Sequence, residues 1–157
     1  MRAIAVTVIA LCTGVVALAQ NTATGNRSCS VTLPGTLAQT EQGFYGTKEL
    51  AFSGPWADGT VVFKPSGPGF VLSDGSLSMK FGWQRGVRGA LTIDGRRLDA
   101  VAPPLRAHIP NGYGDIGFQA TAIVFPTPGC WEVTGRVGSA SLTFTTKVIK
   151  LSAAPSS

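Results

Sequence analysis

Turn-forming residues recur along this chain so regularly that no long element fits between them. "SGPW", "ADGT", "KPSGPGF", "SDGS", "IDGRR", "APPL", "IPNGYGD" and "PTPG" follow one another between residues 53 and 129. Proline fixes φ and removes a donor, and glycine accepts positive φ, so each cluster ends whatever precedes it. Short segments punctuated in this way predict an all-β sandwich or barrel. Nothing after the first nineteen residues reads as a helix.

Between the turns, apolar residues alternate. In "LSMKFGWQ", Leu77, Met79, Phe81 and Trp83 share one face, and Ser78, Lys80, Gly82 and Gln84 share the other. That period of two marks a half-buried strand. In "IGFQATAIVF", Ile116, Phe118, Ala120, Ala122 and Val124 are expected on one side. Ile123 and Phe125 add bulk to the opposite side, as in a strand covered on both faces. Asp94-Gly95, after "ALTI", predicts a tight turn. "GCWEVTGRVGSASLTFTTKV" predicts a hairpin. Trp131, Val133, Gly135 and Val137 face one way, Cys130, Glu132, Thr134 and Arg136 the other, and Leu142, Phe144, Thr146 and Val148 repeat the pattern. Trp83 and Trp131 are the expected core anchors.

The first nineteen residues, "MRAIAVTVIALCTGVVALA", read as a signal peptide: Arg2, an apolar run, then Ala17-Leu18-Ala19 before Gln20. An uncleaved leader would instead make the chain a membrane-anchored ectodomain, such as a sensor. Cleavage leaves 138 of the 157 residues, one domain's worth. It also removes Cys12, leaving Cys29 and Cys130 in an oxidising compartment, where pairing is the default and two unpaired thiols the alternative. The expected location is secreted or periplasmic.

Formal charge is +5, or +4 without Arg2. Lys80, Arg85, Arg88, Arg96, Arg97 and Arg106 face only Asp94 and Asp99 in the same window. They form a candidate surface for an anionic glycan, a lipid headgroup or an acidic envelope protein, with ordinary solubilising arginines as the alternative. An exported chain without interleaved aromatics is not expected to bind nucleic acid, and membrane contact is expected only through the leader.

"GCWEVTGRVG…LTF", with "GRRLDA" and "GYGDIGFQA" upstream, resembles a group of uncharacterised secreted bacterial proteins with an immunoglobulin-like closing hairpin, over roughly residues 55 to 150. The resemblance implies an immunoglobulin-like antiparallel β-sandwich and brings no catalytic residues with it. The cysteine spacing departs from the antibody pattern, where a tryptophan packs between two inter-sheet cysteines. The expected organisation is a signal peptide at 1–19, a flexible lead-in at 20–28, one sandwich domain at 29–151 and a disordered tail at 152–157.

Chemistry is sparse. Gly112, Gly114 and Gly117 have dinucleotide-loop spacing, but strand-like sequence follows where a helix is required. His108 is the one histidine, and no serine sits in a nucleophile elbow. Asp58, Asp74 and Asp94 each precede glycine, as turn formers do. Asp99, Asp115, Glu132, Glu41 and Glu49 show no dyad spacing, although a small hydrolase using two carboxylates is the alternative from another class. No cofactor and no metal cluster is expected; a calcium ion at the Asp115 loop is the weaker alternative. Trp56, in "FSGPWADG", is a candidate exposed aromatic for a sugar or protein partner, with a loop tryptophan folded back over the core edge as the favoured alternative. The expectation is therefore a non-catalytic binding or structural module of the bacterial cell envelope.

Overall fold

The computed structural model describes residues 28–152. The leader, Cys12, the lead-in before Ser28 and the tail after Ser152 lie outside the described residues. Apart from one 3-10 turn, Pro34–Thr36, the regular structure described is ten strands: β1 (Tyr45–Gly46), β2 (Leu50–Phe52), β3 (Thr60–Phe63), β4 (Phe70–Val71), β5 (Leu77–Arg85), β6 (Thr92–Arg97), β7 (Arg106–His108), β8 (Gly117–Phe125), β9 (Gly129–Val137) and β10 (Ala140–Lys150). One sheet has the order β1-β2-β5-β8-β7, with β4 also on β5; the other has the order β3-β10-β9-β6. The two pack as a sandwich around one core, in which Phe52 of the first sheet stacks on Phe144 of the second at 4.2 Å between centroids. Pairing is antiparallel except that β3 runs parallel to β10, with Thr60 opposite Lys147 and Phe63 opposite Lys150. This corrects the wholly antiparallel expectation. β3 reaches β10 by crossing over from the other sheet, and a crossover permits either direction.

The alternations in β5, β9 and β10 hold. Leu77, Met79, Phe81 and Trp83 are buried, as are Trp131, Val133, Val137, Leu142, Phe144, Thr146 and Val148. Gly138 turns the hairpin with φ +55°, the positive φ that a two-residue loop requires. β8 is central, between β5 and β7, and is covered on both faces only towards its end: Gln119, Thr121, Ile123 and Phe125 face the core and Val124 is buried on the other side, while Ile116 and Phe118 are about half exposed, at 53% and 51%. Phe118 packs outside the sheet, edge-on to Phe44 and Tyr113.

Trp83 explains why a polar residue, Thr121, lies on the core-facing row. Its indole N–H donates to Thr121 Oγ1 at 3.2 Å, and the Thr121 hydroxyl in turn donates to the Phe81 carbonyl at 3.3 Å. A buried N–H must find an acceptor, so the polar face of β8 turns inward. The far edge of the same indole lies against β9, where a Cβ added to Gly135 would come within 2.4 Å of Trp83 Cζ3. Asp94-Gly95 is also corrected: it runs through β6 rather than turning. There Gly95 admits close packing, since a Cβ would meet the Glu132 carbonyl at 2.3 Å and Leu105 Cδ2 at 2.5 Å.

Cys29 and Cys130 are bonded, joining residues 101 positions apart. Cys130 shares the outer face of β9 with Glu132, opposite in orientation to Trp131, so the bond clasps the N-terminal segment onto the sandwich rather than pinning the two sheets through the core. Thr32 extends the clasp, donating its N–H to the Thr145 carbonyl at 2.8 Å and accepting from the Thr145 N–H at 2.9 Å.

Two stability outcomes follow. Gly135→Ala should lower the unfolding free energy by about 1–3 kcal/mol through overpacking against Trp83, read from denaturant midpoints; an unchanged midpoint would mean the indole can move aside. Replacing both Cys29 and Cys130 by serine should also destabilise, with loop-closure entropy setting an upper figure of about 4–5 kcal/mol. Equal urea midpoints before and after reduction of the natural protein would show that the clasp contributes nothing.

Candidate functional site

Where β5 ends and β8 begins, the core gives out and polar side chains replace it. The inward row of β5 continues past Trp83 to Arg85, which is only 4% exposed, and the inward row of β8 opens with Gln119, 6% exposed. Gln119 lies opposite Trp83 and Gly117 opposite Arg85, so Arg85 and Gln119 are diagonal neighbours on one face. The connections 86–91 and 109–116 close around them. Together they form a cleft of about 480 Å³ whose lining includes Arg85, Arg88, Leu91, Tyr113, Asp115 and Gln119. Gly112 and Gly117, with φ of +94° and +90°, supply the left-handed backbone that turns the glycine-rich loop back into β8.

Arg85 Nη2 donates to the Gly114 carbonyl, while Arg85 Nε has no hydrogen-bond partner among the described residues. Gln119 Nε2 donates to the Pro110 carbonyl at 3.3 Å, and Gln119 Oε1 likewise has no partner. The one carboxylate lining the cleft, Asp115, is held by Arg88 at 2.7 Å, and both side chains are largely solvent-exposed. A buried guanidinium thus faces a cleft in which no free carboxylate answers it. The larger cleft nearby, about 590 Å³ and lined by residues such as Gln39, Glu41 and Lys48, contains no buried charge.

The six cations expected on one surface are not brought together. Arg85 is buried, which removes it from any exposed face. Arg85 and Arg88 flank the end cleft, whereas Arg97 lies at the opposite end, opposite Trp131 in register, binding Asp99 at 2.7 Å and Thr127 at 3.1 Å. Arg96 is on the outer face of the second sheet, paired with Glu132 at 2.9 Å. Arg106 is on the outer face of the first sheet, paired with Asp74 at 3.0 Å. Lys80 lies near His108 on that same outer face, where both line a shallow apolar depression.

Arg97 donates to Asp99 and holds its carboxyl below the usual range, against the opposing effect of burial. Ser76 does more for Asp74: its hydroxyl and its backbone N–H both donate to the carboxylate, and with the help of Arg106 they lower its pKa to about 2. A depressed carboxyl stabilises the fold above its unfolded pKa, and that stabilisation is lost as pH falls from about 4 towards 2. A carboxyl-carbon NMR titration should place the Asp74 midpoint at about 2, and Ser76→Ala should move it upward. A midpoint unchanged by that substitution would transfer the effect to Arg106.

Trp56 is not an exposed aromatic but takes the favoured alternative, half-buried over the core edge. Its ring packs edge-on to Phe81 at 5.4 Å, against the core. Tyr113 and Phe118 are the exposed aromatics near the cleft. The glycine motif at 112–117 leads into β8, not into a helix. Asp58 and Asp74 do form turns, each accepting the N–H two residues on, whereas Asp94 pairs with Arg136 along the strands. Among the described residues no group of three or more His, Cys, Asp or Glu could hold a metal ion, and no helix is long and apolar enough to cross a membrane.

Gln119 was not foreseen as a site residue. The signal was present in the alternation of β5, which carries Arg85 onto the core face one step beyond Trp83. No family model, curated protein or solved structure matches the chain.

Proposed function

We propose that this chain is an exported immunoglobulin-like β-sandwich of the bacterial cell envelope, secreted or periplasmic, that binds an anionic partner without catalysis. The observation that carries the proposal is the buried Arg85 guanidinium, which faces the end cleft with no carboxylate to neutralise it. Arginine keeps its charge at any physiological pH, and a buried charge without a counterion is costly, so an anion from outside is the natural complement. The immunoglobulin-like reading is supported by the repeated crossing of the chain between two sheets and by the closing hairpin β9–β10 with β3 on its edge. The disulfide supports export, because such bonds persist in oxidising compartments.

The exported protein should begin at Gln20 by mass spectrometry. It should retain acidic polysaccharide or anionic vesicles over neutral counterparts, with retention falling as salt rises. Equal retention of neutral and anionic surfaces would overturn the anion-binding role, and an intact leader would turn the protein into an anchored ectodomain.

A further inference from the structure

We infer that the end of the sandwich remote from the Arg85 cleft rests on an anionic lipid bilayer, its apolar tips entering the headgroup layer and two lysines meeting the lipid charge. This surface is separate from the cleft and goes beyond the anion-binding reading above. Strand pairing gathers three connections and the finish of β10 there. β3 ends at Phe63 opposite Lys150, and β5 begins at Leu77 opposite Phe125, where β8 ends. β6 ends at Arg97 opposite Trp131, and β7 begins at Arg106 opposite Val124. The segments 64–69, 72–76 and 98–105 therefore close the same end, together with Leu151, whose N–H donates to the Phe63 carbonyl at 2.7 Å. Phe70, Val71, Leu72, Val101 and Leu151 are exposed here, five of the nine large apolar side chains exposed among the described residues. Apolar surface gathered in this way marks a contact with something other than water.

Shape and charge select the occupant. Val101, in "DAVAPP", is 103% exposed, as open as in an extended peptide. The tips at Phe70–Leu72 and at Val101 rise from opposite flanks, since β4 and β7 have β5 and β8 between them. A folded partner needs a separate pocket for each tip, whereas a fluid lipid layer admits each one where it stands. The carboxylates of these segments, Asp74 and Asp99, are already held by Arg106 and Arg97. Lys64 and Lys150 have no ion-pair partner among the described residues, which leaves two unmatched cations. Both line a groove of about 580 Å³ with Phe70 and Leu151, so charge and hydrocarbon are presented together. A lysine so placed keeps its stem in the apolar layer and its ammonium among the headgroups, where anionic lipid attracts it. A second copy docked end to end would instead set these lysines against each other. The described chain also begins near this end, because Cys29 is bonded to Cys130, the second residue of β9. On the export reading above, the apolar run 3–19 that precedes it engages a bilayer.

The test is flotation of the exported protein with vesicles of phosphatidylcholine, alone or mixed with phosphatidylglycerol. The mixed vesicles should bind it more tightly. Lys64→Gln and Lys150→Gln should each lower that affinity about fivefold. Val101→Asp should lower it about tenfold or more, with Tm unchanged because the side chain packs against nothing, and Phe70→Ser supplies a second apolar variant. In bicelles carrying a spin-labelled lipid, the methyl signals of Leu72, Val101 and Leu151 should broaden, and that of Ile116 at the other end should not. Equal binding by the natural protein and both apolar variants, no preference for the anionic lipid, or broadening at Ile116 instead of Val101 overturns the proposal. So does sedimentation in which the natural protein dimerises and Val101→Asp does not, with no vesicle binding, since a second copy then covers this end. Vesicle binding lost in Arg88→Glu and kept in Val101→Asp assigns the lipid to the Arg85 cleft, overturning the proposal while the anion-binding reading stands.

Discussion

The Trp83 indole has to be buried and hydrogen-bonded in the same place, and the rest of the sandwich is arranged around that double demand. It is fully buried between the sheets, where its N–H finds water no more readily than the centre of an oil drop would supply it. The acceptor is Thr121 on the neighbouring strand. The opposite sheet makes room for the ring at Gly135, and Phe52 and Phe144 close around it at 5.9 and 6.4 Å between centroids. With Thr121 inward, Gln119, Ile123 and Phe125 point inward as well, since the ladder between β5 and β8 runs unbroken and side chains alternate along it. The hydrogen bond and the burial of Ile123 and Phe125 therefore favour the same face of the strand.

The chain path keeps the two layers together. It runs from the first sheet to the second at β3, back at β4 and β5, across again at β6, back at β7 and β8, and ends in the second sheet with β9 and β10. Each crossing ties the sheets by covalent connection, so neither forms its full complement of strands alone. The disulfide serves a different purpose at the outer surface, where it fastens the segment at Cys29 to β9. That outer surface is also where much of the arginine charge is spent. Arg96 pairs with Glu132 and Arg136 with Asp94 across β6 and β9. Such exposed pairs add little stability, but they prevent a net positive charge from becoming a single basic face.

The sequence reveals the fold wherever one face is apolar throughout. β5, β9 and β10 were legible because Leu77, Met79, Phe81 and Trp83, or Leu142, Phe144 and Val148, leave only one face that can be buried. At β8 residues of both kinds lie on both faces, so the sequence shows a central strand without showing how far each face is covered. The inward place of Thr121 answers a partner 38 positions away, which no local pattern records. Asp94-Gly95 misleads for a related reason. The glycine is required by the Leu105 side chain and the Glu132 carbonyl pressing on it, not by backbone conformation, and the two uses look alike in sequence. The basic window was visible as composition, but apart from the local pair Arg97–Asp99 its pairing depends on carboxylates at 74, 115 and 132, brought near only by folding. The disulfide was legible because Cys29 and Cys130 are the two cysteines outside the apolar run at the start of the chain.

The cleft arises from the same alternation that builds the core. β5 is long enough that its inward row outruns the apolar layer by one residue, and that residue is Arg85. A lysine or arginine at such a place ordinarily carries its charged end out to water along its own aliphatic stem. Here the loop 109–116 folds over the guanidinium and takes up one of its donors through the Gly114 carbonyl, so the charge is enclosed. Gln119 is enclosed by the same loop through the Pro110 carbonyl. A core-filling solution was available at both positions, since leucine or methionine continues the apolar rows of β5 and β8 with no orphaned polar atom. On this side the apolar core of the sandwich is therefore bounded by two buried polar side chains, each tied by one hydrogen bond to the loop that covers it, rather than by further hydrocarbon.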